Sequence, residues 1–413
     1  ISRFRATCNT RATTSVRAMV ILLRWLTAAA AVYAFPASLA QGTLEPSRAY
    51  SLLLSGHSPT PVLSLANAKG QGHSDCLVFN PSYIPASDTL NHSGLLVRQC
   101  CGEGCWGHGR SVHSSLSGAR SERIGFAPCD LQTGTCGDVL PSEEFNLDPE
   151  ADAEDPRALH YEGYYWLFYY RSPSVGGCVG DQCTVQLSRS KAPLSASSWE
   201  RVGTYPWHRN GCCIMKPRGE RSYCIWGEGP GPLPGLGIAY TTDLSSGVFT
   251  QTRWSLGNSL DNASSPLSVD QQWLLPLGAD RQEIKLEAGA HPVQLSTGDY
   301  VHFYAAATPG WVANGNYTVG YIILDKGDPT KILQRSAQFM VPTYDYETLC
   351  QGRKSCTYKG ERKNVIFLSS ATALGERDTF RLFFGGGDGN VGTAIVRVAL
   401  SGSDPIREIS SFV

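Results

Sequence analysis

Two acids stand directly before a Pro-Arg pair in "AEDPRAL" (residues 153–159), which puts Glu154, Asp155 and Arg157 within four positions of one another. Other charged residues flank aromatic-rich runs: Arg98 in "SGLLVRQC", Glu228 in "CIWGEG", Lys285 and Glu287 in "IKLEAGAHP", and Asp388 in "RLFFGGGD". Carboxylates and arginines among aromatic rings suit a sugar. Glycosidic cleavage needs one protonated acid at the leaving oxygen and a second group that activates or replaces the attacking water. Any one of these acids alone reads as a loop cap or an ion-pair partner. Pro156 stiffens its turn and Arg157 pairs with a neighbouring acid, so "EDPR" by itself is also explained by structure.

Other chemistries find little support. "GDGNVG" (387–392) has the spacing of a dinucleotide fingerprint, but "TAIVRVAL" after it alternates like a strand, so no helix N-terminus is offered to a phosphate. There is no G-x-S-x-G elbow and no H-E-x-x-H pair, so a serine hydrolase or a zincin is poorly supported. The cluster "CCGEGCWGHGRSVH", with Cys100, Cys101, Cys105, His108 and His113, lacks a zinc-ligand spacing and reads as disulfide-forming. No metal and no organic cofactor are expected.

The elements that must position these residues are strands. From residue 70 onward, helical periodicity is nearly absent and turn residues punctuate short runs of aromatic and β-branched residues, so the chain is all-β. One pattern recurs five times, a Gly or Asp turn followed by an aromatic strand with a polar or glycine end: "SGLLVRQC", "EGYYWLFYYR", "GERSYCIWGEG", "GDYVHFYAAA" and "RDTFRLFFGGGD". Repeats of this size, none able to bury its faces alone, predict a five-bladed β-propeller over 76–413, with 41–75 leading into the first blade. The recurring runs are read as inner strands whose ends open on a shared channel. A pair of β-sandwiches is the competing architecture.

Residues 1–40 differ in kind, with five arginines and no acid or lysine. Met19 is read as the start, and "MVILLRWLTAAAAVYAFPASLA" as a secretory signal cleaved after Ala40, its apolar run being too short to span a bilayer. The remaining 373 residues carry 30 basic and 36 acidic side chains, which leaves no basic patch for nucleic acid. No membrane span is expected in that mature chain. Closely spaced cysteines (Cys129/Cys136, Cys178/Cys183, Cys350/Cys356) read as loop disulfides in an oxidising compartment, and an odd total of 13 leaves one thiol over. Sequons at Asn91, Asn262 and Asn316 fit the same secreted glycoprotein.

Eight ordered segments resemble glycoside hydrolase family 130, which comprises β-mannoside phosphorylases and β-1,2-mannosidases. They are "FNPSYI", "AEDPRAL", "SSWERVG", "GLGIAYTTDL", "KLEAGAHPVQLSTGDYVHFY", "GYIILDKGDPTKILQRS", "YDYE" with "KNVIF", and "RLFFGGGDGNVGTAIV". The resemblance implies that Asp155 is the general acid and that Asn80, Arg98 and Asp388 line the mannose subsite. It also implies that Arg201 and Lys285 match two members of the cationic set that holds inorganic phosphate in the phosphorylases. Two other members are missing, because Glu228 stands near an expected arginine and Ala305 replaces an expected histidine.

A carboxylate beside a phosphate site repels the dianion, and the family's mannosidases carry glutamates there as bases for water. A secreted enzyme would also lose a sugar phosphate product. The expectation is therefore a secreted, inverting β-mannosidase acting on mannose-containing oligosaccharides or glycans. Asp155 is the acid, Glu228 with Glu287 supplies the base, and Asn80, Arg98, Arg157, Arg201, Lys285 and Asp388 form the binding shell. The rivals are a β-mannoside phosphorylase with inorganic phosphate as co-substrate, a non-catalytic carbohydrate-binding propeller, and a propeller hydrolase acting on furanosides.

Overall fold

The computed structural model describes residues 49–68, 76–101, 122–140, 152–172, 184–205, 210–216, 221–227, 235–253, 274–278, 283–309, 316–349 and 364–401. Its first strand is β1 (Tyr50–Ser55). Blade 1 holds β2 (Cys76–Ile84), β3 (Gly94–Cys101) and β4 (Glu122–Pro128), and blade 2 holds β5 (Asp152–Tyr161), β6 (Tyr164–Ser172), β7 (Thr184–Ser190) and β8 (Glu200–Tyr205). Blade 3 is built from β9 (Gly211–Ile214), β10 (Ser222–Trp226), β11 (Gly235–Thr241) and β12 (Thr250–Arg253), with the short β13 (Leu275–Pro276) beside β11. Blade 4 has β14 (Lys285–Ala288), β15 (Val293–Gln294), β16 (Tyr300–Ala307), β17 (Tyr317–Leu324) and β18 (Ile332–Arg335). Blade 5 has β19 (Ile366–Ala373), β20 (Thr379–Gly386) and β21 (Asn390–Leu400).

Among the described residues, apolar clusters at five junctions close these sheets into a ring. Leu96 and Phe126 of blade 1 meet Tyr165 and Leu167 of blade 2. Phe168 meets Trp226 and Cys213 at the next junction. Ile225 and Ile238 then pack on Leu286 and Tyr304, and Phe303 and Ile323 on Leu368 and Phe384. The last cluster returns to the start, where Phe383 and Val391 lie against Val78 and Val97. Two sandwiches would give two face-to-face cores; five junctions make a propeller.

The register of β6 corrects one expectation. Tyr165, Leu167 and Tyr169 face blade 1 while Trp166, Phe168 and Tyr170 face blade 3, so both faces of this strand are buried and its sequence is continuously aromatic. β6 pairs on both sides, with β5 and β7, and is therefore a second strand. The inner positions belong to β2, β5, β9, β14 and β19, each at a sheet edge, and the recurring aromatic runs are their immediate partners. Within the segment before blade 1, β1 pairs antiparallel with β21 from Tyr50↔Leu400 to Ser55↔Ile395 and so joins the sheet of blade 5.

Two disulfides lie in the described residues. Cys129–Cys136 closes a loop as its spacing suggested, and Cys213–Cys224 staples β9 to β10. Cys76 and Cys100 are also disulfide-bonded, and Cys212 is a buried free thiol. Cys178, Cys183, Cys350, Cys356 and the sequon at Asn262 lie outside the described residues; Asn91 and Asn316 are exposed. Among the described residues no helix is long and apolar enough to cross a membrane.

Candidate active site

The inner strands carry a recurrent local device. In β2 the pairing with β3 slips between Phe79 and Ser82, and in β5 the pairing with β6 slips between Glu154 and Arg157. Each slip falls on an X-Pro dipeptide, Asn80-Pro81 and Asp155-Pro156, where proline has no N–H for the ladder. Asn80 and Asp155 both take positive φ, 47° and 52°. That conformation is uncommon for any residue but glycine and is further disfavoured before proline. Bulges of this kind re-aim a side chain, and both of these turn theirs to one point.

At that point the Asn80 amide Nδ2 donates to Asp155 Oδ1 at 2.6 Å, and Arg98 Nη1 donates to the same oxygen at 2.9 Å. Asp155 is 1 % exposed, so the acid is held inside the ring and not on its rim. Arg98 lies over the Phe79 ring and also pairs with Glu154 at 2.9 Å, which gives Glu154 the plain ion-pair role. Asn80 packs so closely on Gly385 of β20 that a Cβ there would stand 2.2 Å from Asn80 Oδ1. Asp388, at φ 49°, is half-buried in the hairpin turn that follows.

Arg157 runs across the axis. Its Nε donates 2.6 Å to the Gly289 carbonyl just beyond β14, its Nη1 to the carbonyls of Asp155 and Pro156, and its guanidinium lies over Phe367 of β19. This one side chain therefore joins blades 2, 4 and 5. It was expected in the binding shell; it is completely buried, and its donation to backbone carbonyls braces these blades. Burial pulls its pKa down, while Asp155 and then Glu287 oppose that pull. An arginine stays charged regardless, so both carboxylates face a fixed cation.

Glu287 is the second buried carboxylate. Lys285 and Glu287 are two apart on β14 and so share a face; Lys285 Nζ contacts Glu287 Oε1, which also accepts from the Tyr317 hydroxyl of β17. Its Oε2 accepts from Asn210 Nδ2 of blade 3 at 2.6 Å. Gly227 lies against the Glu287 backbone, where a Cβ would approach Ala288 N to 2.3 Å. Glu228, the next residue, lies outside the described residues. Ala305 sits opposite Glu287 in the β14–β16 register and is fully buried.

Among the sequence candidates, Asn80, Arg98, Asp155, Arg157, Lys285 and Glu287 are thus brought together from three blades, with Asp388 on the hairpin of a fourth. Arg201 is not. It is exposed on β8, the edge of blade 2 opposite β5, because the order of segments along the chain does not reveal which of a blade's four strands a residue will occupy. Asn210 and Tyr317 escaped the sequence reading. For Asn210 a signal existed in the Asn-Gly pair of "RNG", a marker of positive φ, and its φ is 66°.

Beneath the carboxylates lie groups that do not ionise at neutral pH. Burial pushes the Cys212 thiol up to about 12, so it is no nucleophile, and draws His291 and His302 down to about 4 and about 3. His302 Nδ1 donates to the Ala290 carbonyl, and His291 Nδ1 accepts from the Cys213 N–H. Both imidazoles are depressed below the ordinary 6.5, so the unfolded chain binds their protons first as pH falls. Thermal melts should therefore show the melting temperature decreasing from about pH 6.5 towards pH 4. A flat profile across that window would contradict the burial of the His302 ring. Among the described residues no group of three or more His, Cys, Asp or Glu is placed to hold a metal ion.

No protein-family model matches the chain. A 1,2-beta-oligomannan phosphorylase of Thermoanaerobacter sp. (strain X514) is 23% identical over 257 residues, which are 59% of this chain and 68% of that protein. Among solved structures, the beta-1,2-mannobiose phosphorylase of Listeria innocua in complex with beta-1,2-mannobiose superposes with a TM-score of 0.53 at 15% identity, covering 84% of this chain and 96% of its own. A structure from work on the GH130 family of mannoside phosphorylases, which contains glycoside hydrolases that target beta-1,2 mannosidic linkages in Candida mannan, gives a TM-score of 0.55 at 16% identity, covering 87% and 95%. A glycosyl hydrolase from Bacteroides ovatus gives 0.55 at 15%, covering 83% and 94%. What these likenesses establish for the chain is its fold, the five-bladed β-propeller.

Proposed function

We propose that the chain is a glycoside hydrolase of the GH130 kind that cleaves β-mannosidic linkages, β-1,2 in the first instance, with inversion. The observation that carries this is the pair of buried carboxylates, Asp155 and Glu287, brought from different blades to one braced arginine and each held by an asparagine amide. Asp155, ionised beside Arg98 and Arg157 in the ligand-free chain, takes up a proton before the reaction and gives it to the glycosidic oxygen as that bond breaks. Glu287 takes a proton from water, whose oxygen bonds the anomeric carbon from the opposite face, and the configuration inverts. Asn80, Arg98 and Asp388 bind the sugar beside the acid. The choice of linkage follows the names of the mannoside-acting proteins that the chain resembles.

Water is preferred to phosphate as nucleophile because the cations are already matched. Arg98 is paired with Glu154 and Asp155, Lys285 with Glu287, and Arg201 stands on an outer strand. A phosphate dianion entering this site would meet Glu287 at short range and low effective dielectric. The phosphorylase reading keeps one specific support, the retained Lys285 together with the phosphorylase relative. Secretion is part of the proposal and rests on the leader-like residues 19–40, the disulfides, and the exposed sequons at Asn91 and Asn316.

The test is incubation with β-1,2-mannobiose and longer β-1,2-oligomannans, with and without inorganic phosphate. Free mannose in both conditions is expected, first formed as the α-anomer. Mannose 1-phosphate as the main product with phosphate present would establish the phosphorylase instead. Binding without turnover on any mannoside would leave a carbohydrate-binding propeller.

A further inference from the structure

Blades 1 and 3 repeat one arrangement. Asn80 in blade 1 is 3 % exposed, takes positive φ, and donates from Nδ2 at 2.6 Å to the carboxylate of the next blade, Asp155. Asn210 in blade 3 is likewise 3 % exposed, takes positive φ, and donates from Nδ2 at 2.6 Å to the carboxylate of the next blade, Glu287. Its backbone carbonyl also receives the Gly227 N–H, and Gly227 packs on the Glu287 backbone. Asn210 is thus held through its backbone carbonyl and through its side-chain amide beside the second carboxylate. Its Oδ1 is buried with no partner among the described residues, an acceptor left over for a water or a sugar hydroxyl.

We infer that Asn210 is a positioning residue for Glu287, the counterpart of Asn80 at Asp155: it aims Oε2 at the attacking water and keeps that oxygen in an accepting state. This deepens the proposed function and rests on Glu287 as the base. Among the described residues, the other groups acting on Glu287 are Lys285 on its own strand, Tyr317 from β17 and Arg157 from β5, which also feels Asp155. Among the described residues, Lys285 and Tyr317 contact Oε1 and Asn210 contacts Oε2.

The left-handed backbone at Asn210 dictates the variants. Asn210→Gly removes the amide without backbone strain, and Asn210→Asp keeps its shape while setting a carboxylate against a carboxylate. Asn210→Gly is expected to lower kcat on β-1,2-mannobiose about 10- to 100-fold, the worth of a hydrogen bond to a charged group, with KM changed less than about threefold. Asn210→Asp is expected to move the acidic limb of the kcat–pH profile upward by about one unit or more, since two adjacent carboxylates share a proton. In a Glu287→Gln background, Asn210→Gly should cost nothing further.

If Glu287→Gln is inactive while both Asn210 variants keep the wild-type kcat and limb, the positioning role is wrong and the base assignment stands. If Glu287→Gln retains full activity, the base assignment falls and this inference with it. A purely structural Asn210 would lower the melting temperature and leave the acidic limb where it was, and that result also overturns the inference.

Discussion

Asp155→Asn should abolish mannoside cleavage, with kcat reduced by about 10³-fold or more, and leave substrate binding and the melting temperature close to wild type. Loss of a general acid removes about 10² to 10⁴ of rate in ordinary cases, and here no described neighbour is placed to replace it. The asparagine is the informative choice because of what surrounds Oδ1. Asn80 and Arg98 both donate to that oxygen, and an amide oxygen accepts them as a carboxylate does. Asparagine also tolerates the positive φ of 52°. Asp155→Ala would instead strand two buried donors, at about 1–3 kcal/mol for each, and confuse lost chemistry with lost fold. Product release followed alongside calorimetric binding to β-1,2-mannobiose separates the two. An Asp155→Asn enzyme with wild-type turnover would remove this residue from the mechanism.

Much of this site can be read from single segments, because its local causes are local. Asn80-Pro81 and Asp155-Pro156 announce interruptions of a strand, and the side chains aimed inward are the ones just before each proline. The all-β character and the fivefold recurrence likewise come from period-2 runs that the five junction clusters explain. What cannot be read locally is which strand of a blade lies at the axis. Fully apolar runs such as "YYWLFYY" look like the most important strands and are second in the blade, buried on both faces; the inner strands are more polar because one edge faces the site. Arg201 was misplaced for that reason. Asn210 and Glu287 are 77 residues apart, and Arg157 and Gly289 are 132 apart, so these contacts exist because the ring closes and leave no mark on either segment alone.

Arg157→Met should destabilise the fold by about 3–5 kcal/mol, measured as a shift in the urea midpoint, and eliminate activity through the fold and not through binding. Removing one partner of a buried charged set leaves the others uncompensated, which costs about that much. Here the loss is compounded, because three backbone carbonyls give up their donor and both Asp155 and Glu287 lose the cation between them. Arg157→Lys keeps the charge but carries one ammonium in place of a planar fork, so its loss should be smaller. The decisive comparison is the Asp155→Asn/Arg157→Met double variant. Without the arginine, the buried Asp155 charge is a liability, so neutralising it should recover part of the lost stability, and the two changes should fall short of additivity by about 1 kcal/mol or more. Strict additivity, or an Arg157→Met protein within about 1 kcal/mol of wild type, would mean that the ring does not depend on its central cation.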